Sequence, residues 1–204
     1  MIETVVAFWL VSLLFVVTPG ADWAYAISAG LAHRSVAPAV GGLLAGHLVA
    51  TGVVAAGVAS AMSRSPMVLT ALTAVGATYL VWLGFNMFSH PAVVQAAASP
   101  VDDSWMRQAV RGAATSGLNP KVFLLFLALL PQFTEPGAAW PVAAQIVALG
   151  LVHTASCAVV YTGVGTASRA VLRARPVAAR AVSRFSGLAM VGIGVVLLAE
   201  RLMT

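Results

Sequence analysis

The sequence predicts an all-α membrane protein of six transmembrane helices, arranged as two inverted three-helix repeats with the first and fourth helices broken. Three observations predict it: an apolar composition, six long stretches with few charges, and helix-breaking residues that recur about a hundred positions apart. Apolar residues make up 60% of the 204 residues and charged residues 8%, against roughly 45–50% and 25% in soluble chains. With a mean hydropathy of +0.95, this composition excludes both an ordinary soluble domain and a disordered segment.

Six stretches are long and apolar enough to be considered as membrane spans, since about 20 residues of helix cross a bilayer core of about 30 Å. They are Thr4–Leu31, Val36–Met62, Met67–Ser89, Gln108–Phe133, Trp140–Thr166 and Val182–Leu198. The fourth is interrupted, and its cleanly apolar part, Val122–Phe133, is short, which leaves five crossings open as an alternative. We expect one membrane domain over residues 1–204, with repeats at about 1–89 and 108–204 and a connecting loop at about 90–107.

Basic residues predict the orientation of the chain. The net charge is +5, but Lys and Arg lie mostly between the apolar stretches and do not form a basic face. This distribution argues against nucleic-acid binding. With six crossings, all Lys and Arg except Arg64 and Arg201 fall on one side, including the cluster from Arg169 to Arg184. The positive-inside rule then predicts a multi-pass protein of the bacterial inner (plasma) membrane with both termini outside the cytoplasm.

Internal repetition is suggested by two breaks with the same chemistry. Thr18-Pro19 and Asn119-Pro120 each combine an N-cap residue with proline, the preferred first residue of a helix. His47 can be aligned with His153 and Gly76 with Gly187, at offsets that grow regularly from 101 to 106 to 111 residues. Because each unit has three helices, the second enters the membrane from the opposite face, as in transporters with inverted repeats. Similarity of composition between unrelated apolar helices is the alternative explanation.

The breaks offer chemistry that suits a zwitterion. Asp22 lies within one turn of the Pro19-Gly20 break, and an acid inside an apolar helix is costly unless it is protonated, paired or hydrated. A helix that restarts here exposes N–H groups and a positive dipole end, which favour a carboxylate. Asn119-Pro120 offers the same, with Lys121 as an added cation, whereas Asp22 suits an ammonium group or a proton. An α-amino acid is the commonest small zwitterion.

These residues are therefore candidates for substrate binding. The candidates are Thr18, Pro19, Gly20, Asp22, Trp23, Asn119, Pro120 and Lys121. Trp23 is included because it adjoins Asp22 and could form a wall of a pocket. Two structural alternatives stay open: a simple kink at Pro19-Gly20, and an Asp22–Lys121 ion pair that serves only the fold.

Proton coupling has three candidates, namely Asp22, His47 and His153. Histidine changes charge near neutral pH, so either histidine could relay a proton. The alternative for each is a structural hydrogen bond to a neighbouring helix. The one cysteine, Cys157, cannot form an internal disulfide and is interpreted as a small apolar residue.

Several motifs resemble those of the LysE/RhtB family of amino-acid exporters. They are Thr18-Pro19-Gly20-Ala21-Asp22, Gly117-Leu118-Asn119-Pro120-Lys121, Phe126 to Phe133 with its Pro131-Gln132-Phe133 end, Tyr79-Leu80-x-Trp82-Leu83-Gly84 and Phe185-Ser186-Gly187. The resemblance covers essentially the whole chain. It implies a bacterial inner-membrane exporter with five or six helices, which moves amino acids such as threonine, homoserine, leucine, lysine or arginine outward by proton antiport. Ala21 stands where the family pattern has a second proline, which should soften the first break.

The leading hypothesis is export of a small amino acid or derivative, coupled to proton import, on a protein that is not an enzyme and needs no cofactor. One alternative is a cation or metal exporter on the same scaffold, using Asp22, His47, His153 and Cys157; no close ligand spacing was found for it, so no metal site is predicted. A membrane accessory protein is another. An intramembrane enzyme is disfavoured because HExxH and GxSxG motifs are absent. Expected partners are an amino-acid substrate and the lipid bilayer, without nucleic acid, and a homo-oligomer is left open.

Overall fold

The computed structural model describes residues 2–64, 66–90, 104–168 and 176–203, and in these ranges the chain is helical throughout its regular structure. The helices are α1 (Ile2–Val17), α2 (Ala21–Ala32), α3 (Ala37–Arg64), α4 (Pro66–Ser89), α5 (Trp105–Gly117), α6 (Pro120–Leu129) followed by a 3₁₀ turn (Leu130–Phe133), α7 (Val142–Thr166) and α8 (Pro176–Met203). The predicted all-α class is confirmed.

The two predicted breaks are present at the predicted residues. α1 ends at Val17 and α2 begins at Ala21, with a bend of 58° between them, while α5 and α6 are bent by 54°. Proline lacks the N–H that would continue each helix. At the second break Asn119 caps α6, because its side-chain oxygen accepts a hydrogen bond from the Lys121 backbone N–H at 3.0 Å.

Length and composition identify two straight membrane spans among the described residues, Ala37–Ser60 in α3 and Val142–Thr166 in α7. Each bent pair also passes as one broken span, which raises the total to four. In α8 the apolar segment Gly187–Val196 is shorter. The described residues thus support two to four of the six predicted crossings.

The loop predicted at about residues 90–107 ends three residues earlier than predicted, because α5 begins at Trp105. Ser104 caps α5 by accepting a hydrogen bond from the Arg107 backbone N–H, so Trp105 to Arg107 belong to the helix. An N-cap serine outweighs the preceding turn-forming residues here. The rest of this loop from Pro91 to Asp103 lies outside the described residues, as do Arg169, Arg173 and Arg175 of the basic cluster.

Glycines bring the helices next to the breaks into close backbone contact. A Cβ at Gly42 of α3 would overlap the carbonyl group of Ala109 in α5, and Gly112 of α5 lies equally close to Ala39. A Cβ at Gly46 of α3 would likewise lie too close to Ala113 and Gly117 of α5. Tyr25 of α2 donates a hydrogen bond to the Gln108 carbonyl oxygen at 2.7 Å. Helices α2, α3 and α5 are therefore held together beside the first break.

Helices α4 and α8 pack against each other in antiparallel directions. Gly84 near the end of α4 contacts Gly187, in the first half of α8, while Gly194 lies against Ala77 and Val81. Contacts thus move backward along α8 as they move forward along α4.

Replacing Gly42 by alanine should separate α3 from α5, because the added methyl group has no room beside Ala109. Overpacking of this kind costs about 1–3 kcal/mol, so we expect a fall of roughly 2–12 °C in the thermal midpoint of the purified protein in detergent. Gly41→Ala is the matched control, because a Cβ at Gly41 meets nothing within 4 Å. Equal midpoints for the two variants would contradict the proposed close contact.

Candidate functional site

A buried carboxylate, Asp22, lies at the start of α2 and is only 8% exposed. Its Oδ1 accepts a hydrogen bond from the Ser116 hydroxyl at 2.9 Å, and its Oδ2 accepts one from the Tyr161 hydroxyl at 3.1 Å. His47 Nε2 lies 3.5 Å from the same Oδ2. These partners belong to α5, α7 and α3, so the carboxylate joins four helices.

The two predicted histidines lie next to each other beyond Asp22. The ring centroids of His47 and His153 are 5.2 Å apart, and His153 Nδ1 shares a hydrogen bond with the Ser12 hydroxyl at 2.7 Å. Phe126 packs edge-on against His153 with ring centroids 4.9 Å apart. All of these side chains are buried. Asp22, His47, His153 and Ser12 consequently lie one after another as a buried series of polar groups, with a ring contact between the two histidines and a hydrogen bond at the Ser12 end.

A cavity joins both breaks to this polar series. Its lining includes eight of the ten predicted binding and coupling candidates: Thr18, Gly20, Asp22, Trp23, His47, Asn119, Lys121 and His153. The remaining two, Pro19 and Pro120, lie within the breaks themselves. Its free volume is about 30 Å³, which is room for water-sized molecules and too little for an amino acid.

The helix starts at this cavity differ in their capping. α2 begins after Gly20 without a side-chain cap, whereas Asn119 caps α6. Lys121 extends toward the first break, since a Cβ at Gly20 would lie 3.7 Å from its Nζ. Asp22 and Lys121, both among the described residues, form no ion pair within 4 Å; the carboxylate is paired with His47. The purely structural Asp22–Lys121 pair is therefore not formed in this structure.

Trp23 joins the two sides of the first break. Its indole Nε1 donates a hydrogen bond to the Val16 carbonyl oxygen at 2.9 Å. This bond connects the Trp23 side chain of α2 to the last turn of α1. This contact fixes Trp23 at the cavity wall. The Thr18 hydroxyl bonds back along α1 by donating to the Leu14 carbonyl oxygen at 2.6 Å.

Ser116 and Tyr161 are not among the site residues predicted from sequence, and Cys157 is predicted only as a ligand in the alternative of a metal exporter. Ser116 and Tyr161 donate to Asp22, and Cys157 Sγ lies 3.9 Å from His47 Nε2. A signal for two of them was present: His153, Cys157 and Tyr161 are spaced at four-residue intervals, which places them along one face of α7. Nitrogen and sulfur atoms of His47, His153 and Cys157 lie within 4.8 Å of one another.

Comparison with known proteins agrees with the motifs. Residues 13–201 match the model of the LysE type translocator. The chain belongs to the LysE type translocator family. This family membership covers most of the chain, including both breaks and the cavity, and confirms the resemblance inferred from the motifs. A LysE type translocator is a membrane transporter and not an enzyme.

Relatives of this translocator include named exporters and an uncharacterized membrane protein. The latter, from Pseudomonas aeruginosa, is 31% identical over 92% of this chain and 93% of its own length. A homoserine/homoserine lactone efflux protein of Salmonella typhi is 27% identical over 78% of each chain. A cysteine/O-acetylserine efflux protein of Salmonella choleraesuis is 28% identical over 64% of this chain and 65% of its own. No solved structure matches this translocator.

Removing the Tyr161 hydroxyl should destabilise the bundle because Asp22 loses a hydrogen bond in a buried position. A hydrogen bond to a charged group contributes about 1.5–3 kcal/mol, so Tyr161→Phe should lower the thermal midpoint in detergent by roughly 3–12 °C. Tyr79→Phe is the matched control, because Tyr79 packs against Trp82 and does not belong to the hydrogen-bond network of Asp22.

An Asp22→Asn background tests whether this effect belongs to the carboxylate. Partners in one hydrogen-bond network are expected to be non-additive, so Tyr161→Phe should lower the midpoint much less when residue 22 is already neutral. An undiminished effect in that background would show that the Tyr161 hydroxyl acts independently of Asp22.

Proposed function

We propose that this LysE type translocator exports a small α-amino acid or a close derivative across the bacterial inner membrane, coupled to proton import. One observation carries the proposal: a buried acid, a lysine and two helix starts converge on one cavity, to which both broken helices contribute. The homoserine/homoserine lactone and cysteine/O-acetylserine efflux proteins among its relatives agree with this substrate class.

In the proposed binding mode the substrate ammonium contacts Asp22 and takes the place of His47 at Oδ2. The substrate carboxylate contacts the uncapped start of α2 and the Lys121 ammonium, because N–H groups and a positive dipole end favour an anion. Both charged ends are thereby paired inside a water-poor site, where unpaired charges are costly. Since the cavity is smaller than an amino acid, the helices around it must separate before substrate enters.

Alternating access between two inverted three-helix units provides that movement in the proposal. A two-fold axis relates the two repeats, and equivalent residues that lie near the axis come into contact with each other. Two pairs of proposed equivalents lie close together at the cavity. His47 contacts its proposed equivalent His153, and Gly20 lies beside its proposed equivalent Lys121. Antiparallel packing of α4 against α8, the third helix of each unit, also supports the arrangement. We propose six crossings with each bent pair as one of them, and both termini outside the cytoplasm.

Asp22→Asn should abolish export while the protein remains in the membrane, because the amide cannot pair with an ammonium group. Loss of a buried charged contact costs about 2 kcal/mol or more, so we expect export to fall by at least about 30-fold. A panel of labelled amino acids, loaded into cells with and without the gene, identifies the substrate and measures this rate.

Glu3→Gln is the matched control, because Glu3 is an exposed carboxylate at the start of α1. Its export should equal that of the unmodified protein at the same membrane level. Full export by Asp22→Asn would rule out the proposed binding mode, and the absence of export for every amino acid tested would rule out the substrate class.

The buried series from Asp22 through both histidines to Ser12 supports proton coupling. A carboxylate and two imidazoles in succession can pass a proton between the substrate site and α1. In the proposal, the proton reaches Asp22 along this series, and protonation of the carboxylate releases the substrate ammonium. Export and proton import then alternate at one residue.

His153→Gln should separate transport from coupling. The amide fills a similar space but cannot carry a proton, so substrate exchange across proteoliposomes should persist while accumulation driven by a pH gradient is lost. His90→Gln, at an exposed position after α4, should retain both. Gradient-driven accumulation by His153→Gln at the unmodified rate would contradict a relay through this residue.

A further inference from the structure

A cluster of metal-binding side chains lies at the cavity, and none of its three members contacts the substrate in the proposed binding mode. One nitrogen each of His47 and His153 and the sulfur of Cys157 lie within 4.8 Å of one another. In a tetrahedral zinc site with ordinary bond lengths, neighbouring donor atoms are roughly 3.3–3.6 Å apart. The 3.9 Å separation between Cys157 Sγ and His47 Nε2 is close to this value, and a shift of about 1 Å would bring in His153.

The donor atoms are available for a ligand. His153 uses Nδ1 with Ser12, which leaves Nε2 for a metal and supplies the outer hydrogen bond that orients metal-binding histidines. His47 is 2% exposed, and its Nδ1 has no hydrogen-bond partner among the described residues. The nitrogen that faces Asp22 and Cys157 is Nε2, and because no hydrogen bond at Nδ1 fixes the tautomer, Nε2 can be the unprotonated nitrogen that a metal ion requires.

The donor set selects the type of metal. Two imidazoles and a thiolate suit zinc and its softer relatives, whereas Mg²⁺ and Ca²⁺ require oxygen ligands. Asp22 Oδ2, 3.5 Å from His47 Nε2, is placed to be the fourth ligand. A divalent ion with one thiolate and one carboxylate has no net charge, which reduces the cost of burial; Lys121 across the cavity is the remaining nearby cation.

We propose that His47, His153, Cys157 and Asp22 form a binding site for Zn²⁺ or Cd²⁺ that joins α3 to α7 and blocks transport. An ion held by both helices would prevent the separation that substrate entry needs and would occupy the carboxylate meant for the substrate ammonium. The inhibitory consequence depends on the proposed function, whereas metal binding itself does not.

Cadmium titration of the purified full chain in detergent tests the site. Because Cys157 is the only cysteine, an ultraviolet cadmium–thiolate charge-transfer band in the unmodified protein can come only from this residue. We expect saturation at one Cd²⁺ per chain, competition by Zn²⁺ and no competition by Mg²⁺. Absence of the band at saturating Cd²⁺ would overturn the proposal without any variant.

Two variants assign the ligands. Cys157→Ser should abolish the band, and His153→Gln should weaken affinity by at least about tenfold, since loss of even an outer partner of a metal ligand costs 10–100-fold. His90→Gln controls for binding at exposed histidines and should titrate like the unmodified protein. An unchanged affinity in His153→Gln would mean that Cys157 binds cadmium without the cluster and would overturn the site.

Transport assays then test the consequence. Zn²⁺ should inhibit amino-acid efflux from proteoliposomes, and a chelator should restore it. If metal binds but efflux is unaffected, the blocking role is wrong while the site stands. If the vesicles transport labelled Zn²⁺, the chain moves cations, and the blocking role is again wrong. If no amino acid is transported but cadmium binds as expected, the proposed substrate class fails and the metal site does not.

Discussion

The structure around the cavity depends on one constraint, which is that the Asp22 carboxylate is buried and must be supplied with donors. A buried charge without partners is too costly for a stable bundle. The donors come from three other helices through Ser116, Tyr161 and His47. Each donor requires its helix to approach α2 at a fixed height, so the relative positions of α2, α3, α5 and α7 are set together. Glycines at the α3–α5 contact allow this approach because side chains there would hold the backbones apart.

The helix breaks and the buried charges require each other. A break inside a membrane frees N–H groups that lipid cannot satisfy, so broken backbone must face protein or a hydrated cavity. Once such a cavity exists, it supplies water and positive helix ends, which make a carboxylate tolerable close by. Asp22 and Lys121 each lie two residues after the N-cap of a restarting helix, Gly20 and Asn119 respectively, and both line the same cavity.

Sequence was most informative where local chemistry decides the structure. Proline and an N-cap residue determine where a helix can restart, so both breaks were predictable at the residue level, as was the position of Asp22 just after the first break. The partners of Asp22 were not predictable, because Ser116 reaches the carboxylate only through the close packing of α5 against α3. That approach depends on surfaces far apart in sequence. For Tyr161 and Cys157 part of the answer was predictable, because four-residue spacing from His153 places them on one face of a helix. The local sequence does not indicate which neighbouring helix that face contacts.

The proposed repeat also explains how a nearly symmetric scaffold could bind a molecule with two unlike ends. A two-fold axis duplicates backbone features, so each unit contributes a break and the start of a helix. On the proposed alignment the side chains at equivalent positions are not duplicated: Gly20 corresponds to Lys121, and Asp22 corresponds to the apolar Phe123. One unit therefore supplies the acid and the other the cation. Two acids around one cavity would repel each other and bind no carboxylate. An acid from one unit and a cation from the other instead place opposite charges at the two ends of the site, which match the amino group and the carboxylate of the substrate.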